Sequence, residues 1–338
     1  MKRAFVTGAT GFVGSHLARA LIDRGVEVRC LVRDSSPRDN LAGLGLTTVT
    51  GDLRDLDSLR RGIDGCDAAF HCAADYRLFV PDPKPMYASN VEGTRNVMRA
   101  AADCGVERLV YTSTVGALGI DPSGKPADER TPVRFENMIG HYKKSKFLAE
   151  RVAEEWAGRG VPVVIVNPSA PVGDADIKPT ATGQMILDFL EGRMRAYVDT
   201  GLNLVDVRDV AQGHLLAAER GRVGEKYILG NRDLSLKAIL EMLAEITGIP
   251  APTIKLPHWV PLAVSAVDTT VSRLARRRPR VSIDAVRLSR HHMYFDSAKA
   301  VSELGYPQTP VEQALQRAVA WFEAAGYSKL AKARARAG

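Results

Sequence analysis

Residues 7–14 read TGATGFVG (Thr7–Gly14), and three glycines, Gly8, Gly11 and Gly14, recur in them at intervals of three. Before them RAFVTG is a short apolar run of strand character, and after them FVGSHLARALIDRG carries apolar residues at helical spacing. Glycine is required at a strand-to-helix turn where the chain bends tightly and a ligand approaches the backbone closely. A helix beginning there aims its free amides and positive dipole end at that ligand, so the stretch predicts a bound pyrophosphate. The spacing is GxxGxxG, not GxGxxG, and alone it would also suit a structural turn. The flanking strand and helix favour the nucleotide reading.

Working outward, strands and helices alternate. VEVRCLVR reads as a strand, LDSLRRGI as a short helix, DAAFHCAA as a strand, MYASNVEGTRNVMRAAADCG as a helix and VERLVYTST as a strand. HYKKSKFLAERVAEEWAGRG is a long helix ending at glycine, followed by the apolar strand VPVVIVNPS. Parallel strands need crossover helices, so this order predicts an α/β fold: a Rossmann-type doubly wound parallel sheet with a smaller C-terminal substrate lobe. The expected division is residues 1–170 for the nucleotide-binding part, with chain returning to it at about 200–230, then 171–330 mainly for the lobe and 331–338 as a basic tail.

Composition narrows the class. Of the 338 residues 45% are apolar and 25% charged, as in ordinary globular proteins. The first apolar residues are interrupted by TGATG, unlike a signal peptide, and no apolar run is long enough to span a bilayer. Cys30, Cys66, Cys72 and Cys104 form no CxxC pair, and the histidines lack metal-ligand spacing beside them. The expectation is a reduced, cytoplasmic protein without a metal. Net charge is +7 and uneven: residues 258–292 hold seven arginines against Asp268 and Asp284, and the tail from Tyr327 adds four positive charges. The remainder is slightly acidic and offers no aromatic stacking platform, which excludes a nucleic-acid partner.

Chemistry concentrates in few places. At the end of the second strand an acid would bind the ribose hydroxyls of NAD, whereas an arginine pairs with the 2′-phosphate of NADP. This chain has Arg33 and then Asp34. Alternation along the strand ends the run at Arg33, favouring NADP(H) over NAD(H), the bland alternative being a solvated strand-end charge. In GDLRD, Asp52 and Leu53 are placed to flank the adenine, with a plain turn as the alternative for Asp52. Tyr142 and Lys146 lie four apart on one helix face. An adjacent ammonium and the nicotinamide cation would together favour the phenolate of Tyr142, which then moves a proton to or from an alcohol oxygen while Lys146 holds the ribose. Ser113 and Thr114 end a buried strand at its carboxyl edge, where ligands of such sheets bind.

TGATGFVG, YTST, YKKSK and NPSAPVG together resemble the extended short-chain dehydrogenase/reductase superfamily across nearly the whole chain. More narrowly, AADYRLF, NVEGTRNV, MIGHYKKSKFLAE, VVIVNPSAPVG, DIKPTATG, AYVDTGLNLVDV and EKYILGN resemble the hopanoid-associated sugar epimerase family, near the dihydroflavonol and aldehyde reductases. The resemblance implies a catalytic set of Thr114, Tyr142 and Lys146, with threonine in place of the more frequent serine. It implies a cofactor site of Gly8, Thr10, Gly11, Phe12, Val13, Gly14, Arg33, Asp52, Leu53, Ala73, Asn90, Ser113, Tyr142, Lys146, Asn167 and Pro168. Within this set Asn90 would hold the active-site helix and a water, and Asn167 and Pro168 would lie near the nicotinamide. One departure bears on the reaction. Epimerases of nucleotide sugars usually carry an Arg-Asp-aromatic segment just before the strand that here reads LNLVDVRD, and in this chain that place reads TGLNLVDV, without the arginine. A reductase of a carbonyl on a sugar-like substrate is therefore weighed above a nucleotide-sugar epimerase or dehydratase, and both above a protein that merely senses NADP.

Between His258 and Arg280, Val260, Val264, Val267, Val271 and Leu274 recur at spacings of three and four. Such a helix either closes the lobe over its core or, with Arg276, Arg277 and Arg278, rests on an anionic inner-membrane surface where a lipid-linked substrate is met. The oligomeric state is left open, a homodimer being one outcome.

Overall fold

The structure, a computed structural model, describes residues 1–77, 80–121, 123–274 and 283–328. Its strands are β1 (Arg3–Thr7), β2 (Glu27–Val32), β3 (Thr47–Thr50), β4 (Ala68–His71), β5 (Arg108–Thr112), β6 (Val163–Pro168), β7 (Ala170–Val172), β8 (Ala196–Val198), β9 (Gly201–Asp206), β10 (Lys226–Leu229), β11 (Arg232–Ser235), β12 (Ile254–Leu256) and β13 (His292–Met293). Seven form one sheet in the order β10-β6-β5-β4-β1-β2-β3. Every pairing in it is parallel. This is the doubly wound Rossmann-type sheet expected. The chain steps outward from β1 to β2 and β3, then returns to place β4 on the other side of β1. The crevice outside the carboxyl ends of β1 and β4 is therefore the topological switch point, where such sheets bind ligands.

Both sheet faces are covered. Phe5, Leu109, Tyr111 and Ile165 face one helical layer, and Val6, Val28, Val110 and Val166 the other; all are fully buried. That is why these strands read as continuous apolar runs and not as alternating ones. β3 is the exception: its TTVT is largely exposed, at an edge. The helix Phe12–Asp23 packs on the helix Val207–Arg220, which precedes β10, so chain from beyond residue 200 completes the sheet.

The lobe has its own apolar cluster. β9 pairs with β7, β11 and β13. Phe189, Leu204, Leu240, Leu315 and Phe322 fill the space between them and the helices Ala181–Leu190, Leu236–Thr247 and Val311–Ala324. A helix spans Trp259–Leu274, with Trp259 and Val264 exposed. Arg276, Arg277 and Arg278 and the tail lie outside the described residues. No helix among the described residues is long and apolar enough to cross a membrane, and no cluster of His, Cys, Asp or Glu there is arranged to hold a metal.

Candidate active site

The turn after β1 is built as its glycines require. Gly8 has φ of +78°, and a Cβ there would lie 2.6 Å from the Ala73 amide nitrogen, on the loop after β4. Gly8 thus lets the two edges of the switch point touch. A Cβ on Gly14 would lie 2.7 Å from the Gly8 carbonyl carbon, so the helix seats directly on the turn. Gly11 donates its amide to the Gly8 carbonyl at 2.9 Å and caps the helix without a side chain. Thr10, Phe12 and Val13 complete this rim. Amides pointing outward from an uncapped helix, over a floor without Cβ atoms, fit a dinucleotide pyrophosphate.

A cleft of about 490 Å³ runs from this turn, lined by Thr7, Gly8, Thr10, Arg33, Asp52, Leu53, Ala73 and Tyr76 among others. Leu53 is buried under Gly93, and its carbonyl accepts from Asn96 at 3.0 Å. The cationic residues of the wall differ in their commitments. Arg54 pairs with Asp52 at 2.8 Å and Arg77 with Asp75 at 2.5 Å. The hydrogen bond from Arg54 holds the Asp52 carboxyl below the usual range. Arg33 is exposed at the end of β2 and forms no ion pair among the described residues.

The helix Gly140–Gly158 carries Tyr142, Lys146 and Glu150 on one face, and Lys146 and Glu150 are buried. The Thr114 hydroxyl accepts from the Gly116 amide at 3.1 Å and acts on the Tyr142 phenol. Burial pushes the Tyr142 phenol up to about 12, with Thr114 offsetting part of the rise. Lys146 turns its ammonium to the Tyr111 hydroxyl at 2.8 Å and the Thr112 carbonyl at 2.7 Å, and burial pushes its own value down to about 8. Desolvation is thus the largest influence on Tyr142, while the Lys146 ammonium is turned toward Tyr111 and Thr112. Two of the three Lys146 donors are used, leaving one for a ribose hydroxyl.

Thr114 and Ser113 are set apart. Ser113 is buried and donates to the Glu150 carboxylate at 2.5 Å. Asn167, at the end of β6, donates to the same carboxylate at 2.8 Å and to the Thr114 carbonyl at 3.1 Å, and its own carbonyl oxygen is buried without a partner. Pro168 follows it, buried, at the last β6 position. Asn90 sits in a π-helical turn, Ala88–Glu92, a distortion frequent at functional sites. It donates to the Ser145 hydroxyl at 2.9 Å and accepts from the Asp75 amide at 2.7 Å, tying the helix of Tyr142 to the cleft loop.

Residues 4–230 match the NAD dependent epimerase/dehydratase family. The chain belongs to that family. A Synechocystis protein described as a putative dihydroflavonol 4-reductase is 50% identical over 329 residues, 96% of each chain. Sterol demethylase protein B of Methylococcus capsulatus is 38% identical over 323 residues, 95% of this chain and 98% of that one. The crystal structure of gox2253 superposes with a TM-score of 0.87 at 48% identity, over 97% of this chain and 100% of that one. The protein is thus an NAD(P)-dependent enzyme of the extended short-chain dehydrogenase/reductase type, whose relatives are reductases, epimerases and dehydratases.

Several supporting residues of this family member escaped the sequence reading. Glu150 is fully buried, and its second oxygen accepts from Lys226 of β10 at 2.7 Å, so the carboxylate fastens three strand ends behind Thr114. Its position four residues beyond Lys146 was the available signal. Behind the Lys146–Tyr111 bond, Thr7 and Thr94 bond the two nitrogens of His71 at 2.8 and 3.1 Å, and the His71 ring lies 5.6 Å from that of Tyr111. Burial pushes His71 down to about 3, so it serves as a neutral spacer. Nothing local in the sequence marks those contacts.

Proposed function

We propose that the enzyme reduces a carbonyl carbon of a sugar-like, lipid-linked substrate with NADPH, a hopanoid side chain being the class that the family resemblance implies. The observation that carries this reading is the Tyr142 phenol, kept protonated by burial and set beside the Thr114 hydroxyl. A protonated phenol can donate to an oxygen becoming an alkoxide, which is the part that carbonyl reduction asks of Tyr142. The cofactor supplies the hydride when bound. Gly8, Gly11 and Gly14 would receive its pyrophosphate, Lys146 a ribose hydroxyl, and the unpaired Arg33 the 2′-phosphate.

Reduction is favoured over epimerisation by the segment Ala196–Asp206, which holds no arginine. Its one exposed acid, Asp199, lies 2.9 Å from the Lys255 ammonium and 3.4 Å from the His292 ring. A sugar diphosphate would find no bidentate grip there. The name of the Synechocystis relative, a putative reductase, agrees with this reading.

The test is turnover followed at the NADPH absorbance with carbonyl substrates, and with UDP-sugars separately. Net NADPH consumption is expected with the former and no useful affinity for the latter. Epimerisation of a UDP-sugar without net absorbance change would replace the reading. Peripheral membrane contact through the arginine-rich segment is part of the same proposal: salt-sensitive cosedimentation with anionic vesicles is expected, and protein left in the supernatant at low salt would remove it.

A further inference from the structure

Lys143 follows Tyr142 on the same helix and is half-buried. Its stem passes the Thr114–Gly116 turn, where Cε lies 3.4 Å from the place a Gly116 side chain would begin, and its ammonium ends 3.8 Å from the Met293 sulfur on β13. Lys143 therefore runs along the turn that holds the Thr114 hydroxyl, at the seam between the sheet and the lobe. Among the described residues no carboxylate pairs with it. Asp284, which abuts Gly140 at the start of this helix, faces Arg287 at 3.8 Å instead.

Beside Lys143, His291 faces two cations. Lys143 and Arg290 both act on His291, which burial and these charges together lower. Burial pushes Lys143 itself down to about 8. An ammonium held among protein atoms without a counter-charge is costly, and a methionine would pack as well against Met293. A negative group on the substrate would supply what the protein withholds.

We propose that Lys143 binds an anionic group of the substrate, a carboxylate or phosphate, on the same molecule as the carbonyl that Tyr142 and Thr114 hold. The inference rests on the reductase reading for its reaction, but its binding test does not. Lys143 then sets specificity: it selects acidic carbonyl compounds over neutral ones.

The test uses the full chain with NADPH and matched 2-, 3- and 4-oxo acids and their methyl esters, which scan the spacing between carbonyl and charge. Wild-type enzyme is expected to prefer one acid over its ester by about 10- to 100-fold in kcat/KM, the range of one charge-assisted contact. In Lys143→Met that ratio is expected to fall to about 1, and Lys143→Arg to keep most of it. Melting of Lys143→Met at or above the wild-type temperature would show that the loss is not misfolding. A wild-type ratio near 1, or an equal ratio in Lys143→Met, overturns the proposal. If no compound consumes NADPH, the reductase reading fails on its own. Quenching of bound NADPH fluorescence by the acids, lost in Lys143→Met, would then still support the site, and no quenching in the wild type would overturn it.

Discussion

Replacing Gly8 by alanine tests the cofactor turn with a magnitude that the structure supplies. Two costs combine there. The residue is left-handed, φ +78°, which costs a non-glycine residue about 1–2 kcal/mol. The new Cβ would also stand 2.6 Å from the Ala73 nitrogen and 2.8 Å from the Ala73 Cα and the Cys72 carbonyl carbon, all backbone atoms. Ordinary contact begins at 3.4 Å, so β1 and β4 must part at their carboxyl ends by most of an ångström. Overpacking of this kind costs about 1–3 kcal/mol. The sum is about 2–5 kcal/mol, or about 4–10 °C of melting temperature at roughly 2 °C per kcal/mol. Gly25 is the control, because it has φ of +75° and nothing within 4 Å of a Cβ. Gly25→Ala is expected to lose only the backbone share, about 1–2 kcal/mol, with NADPH affinity intact. Gly8→Ala is expected to lose more stability and, in addition, about 10- to 100-fold in NADPH affinity, because the floor of the pyrophosphate site has moved. Thermal melts and NADPH fluorescence titrations read both quantities. Equal melting losses in the two variants, with NADPH affinity retained in Gly8→Ala, would refute the close-approach argument.

Other perturbations separate the remaining parts of the site. Arg33→Ala is expected to weaken NADPH binding by about 10- to 100-fold and NADH binding little, read by titration with both; an equal loss for both would withdraw the 2′-phosphate assignment. Tyr142→Phe should lower turnover by about 10² to 10⁴ while NADPH still binds, whereas Lys146→Ala should weaken both. With a neutral ester substrate kcat/KM is expected to hold up to about pH 8 and then fall as Lys146, lowered by burial, gives up its proton, since Tyr142 stays protonated to about 12. The stability sign is opposite: between about pH 8 and the ordinary lysine value the unfolded chain binds more protons, so burial of Lys146 becomes less costly as pH rises. Glu150→Gln should cost about 1–3 kcal/mol in thermal melts, because Ser113, Asn167 and Lys226 all lose their shared anion.

The sequence by itself determined whatever depends on neighbours along the chain. TGATGFVG between a strand and a helix requires a tight turn under a close-lying ligand. Tyr142 and Lys146 share a face because a helix brings residues four apart together, and the buried strands are legible because parallel sheets covered on both faces are apolar throughout. β3 has no such signature. Three threonines on an exposed edge bury little, and pairing with β2, not their own pattern, makes TTVT a strand. The resemblance already chose Thr114 over Ser113, but only the tertiary structure supplied a physical difference between them: a carboxylate on a distant helix claims the Ser113 hydroxyl. It also decided the state of Tyr142. Burial, a property of everything packed around the ring, raises its phenol, and the fold turns the Lys146 ammonium toward Tyr111. The same holds for Lys143, whose missing counter-ion appears only once the helix, the Gly116 turn and Met293 have been brought together.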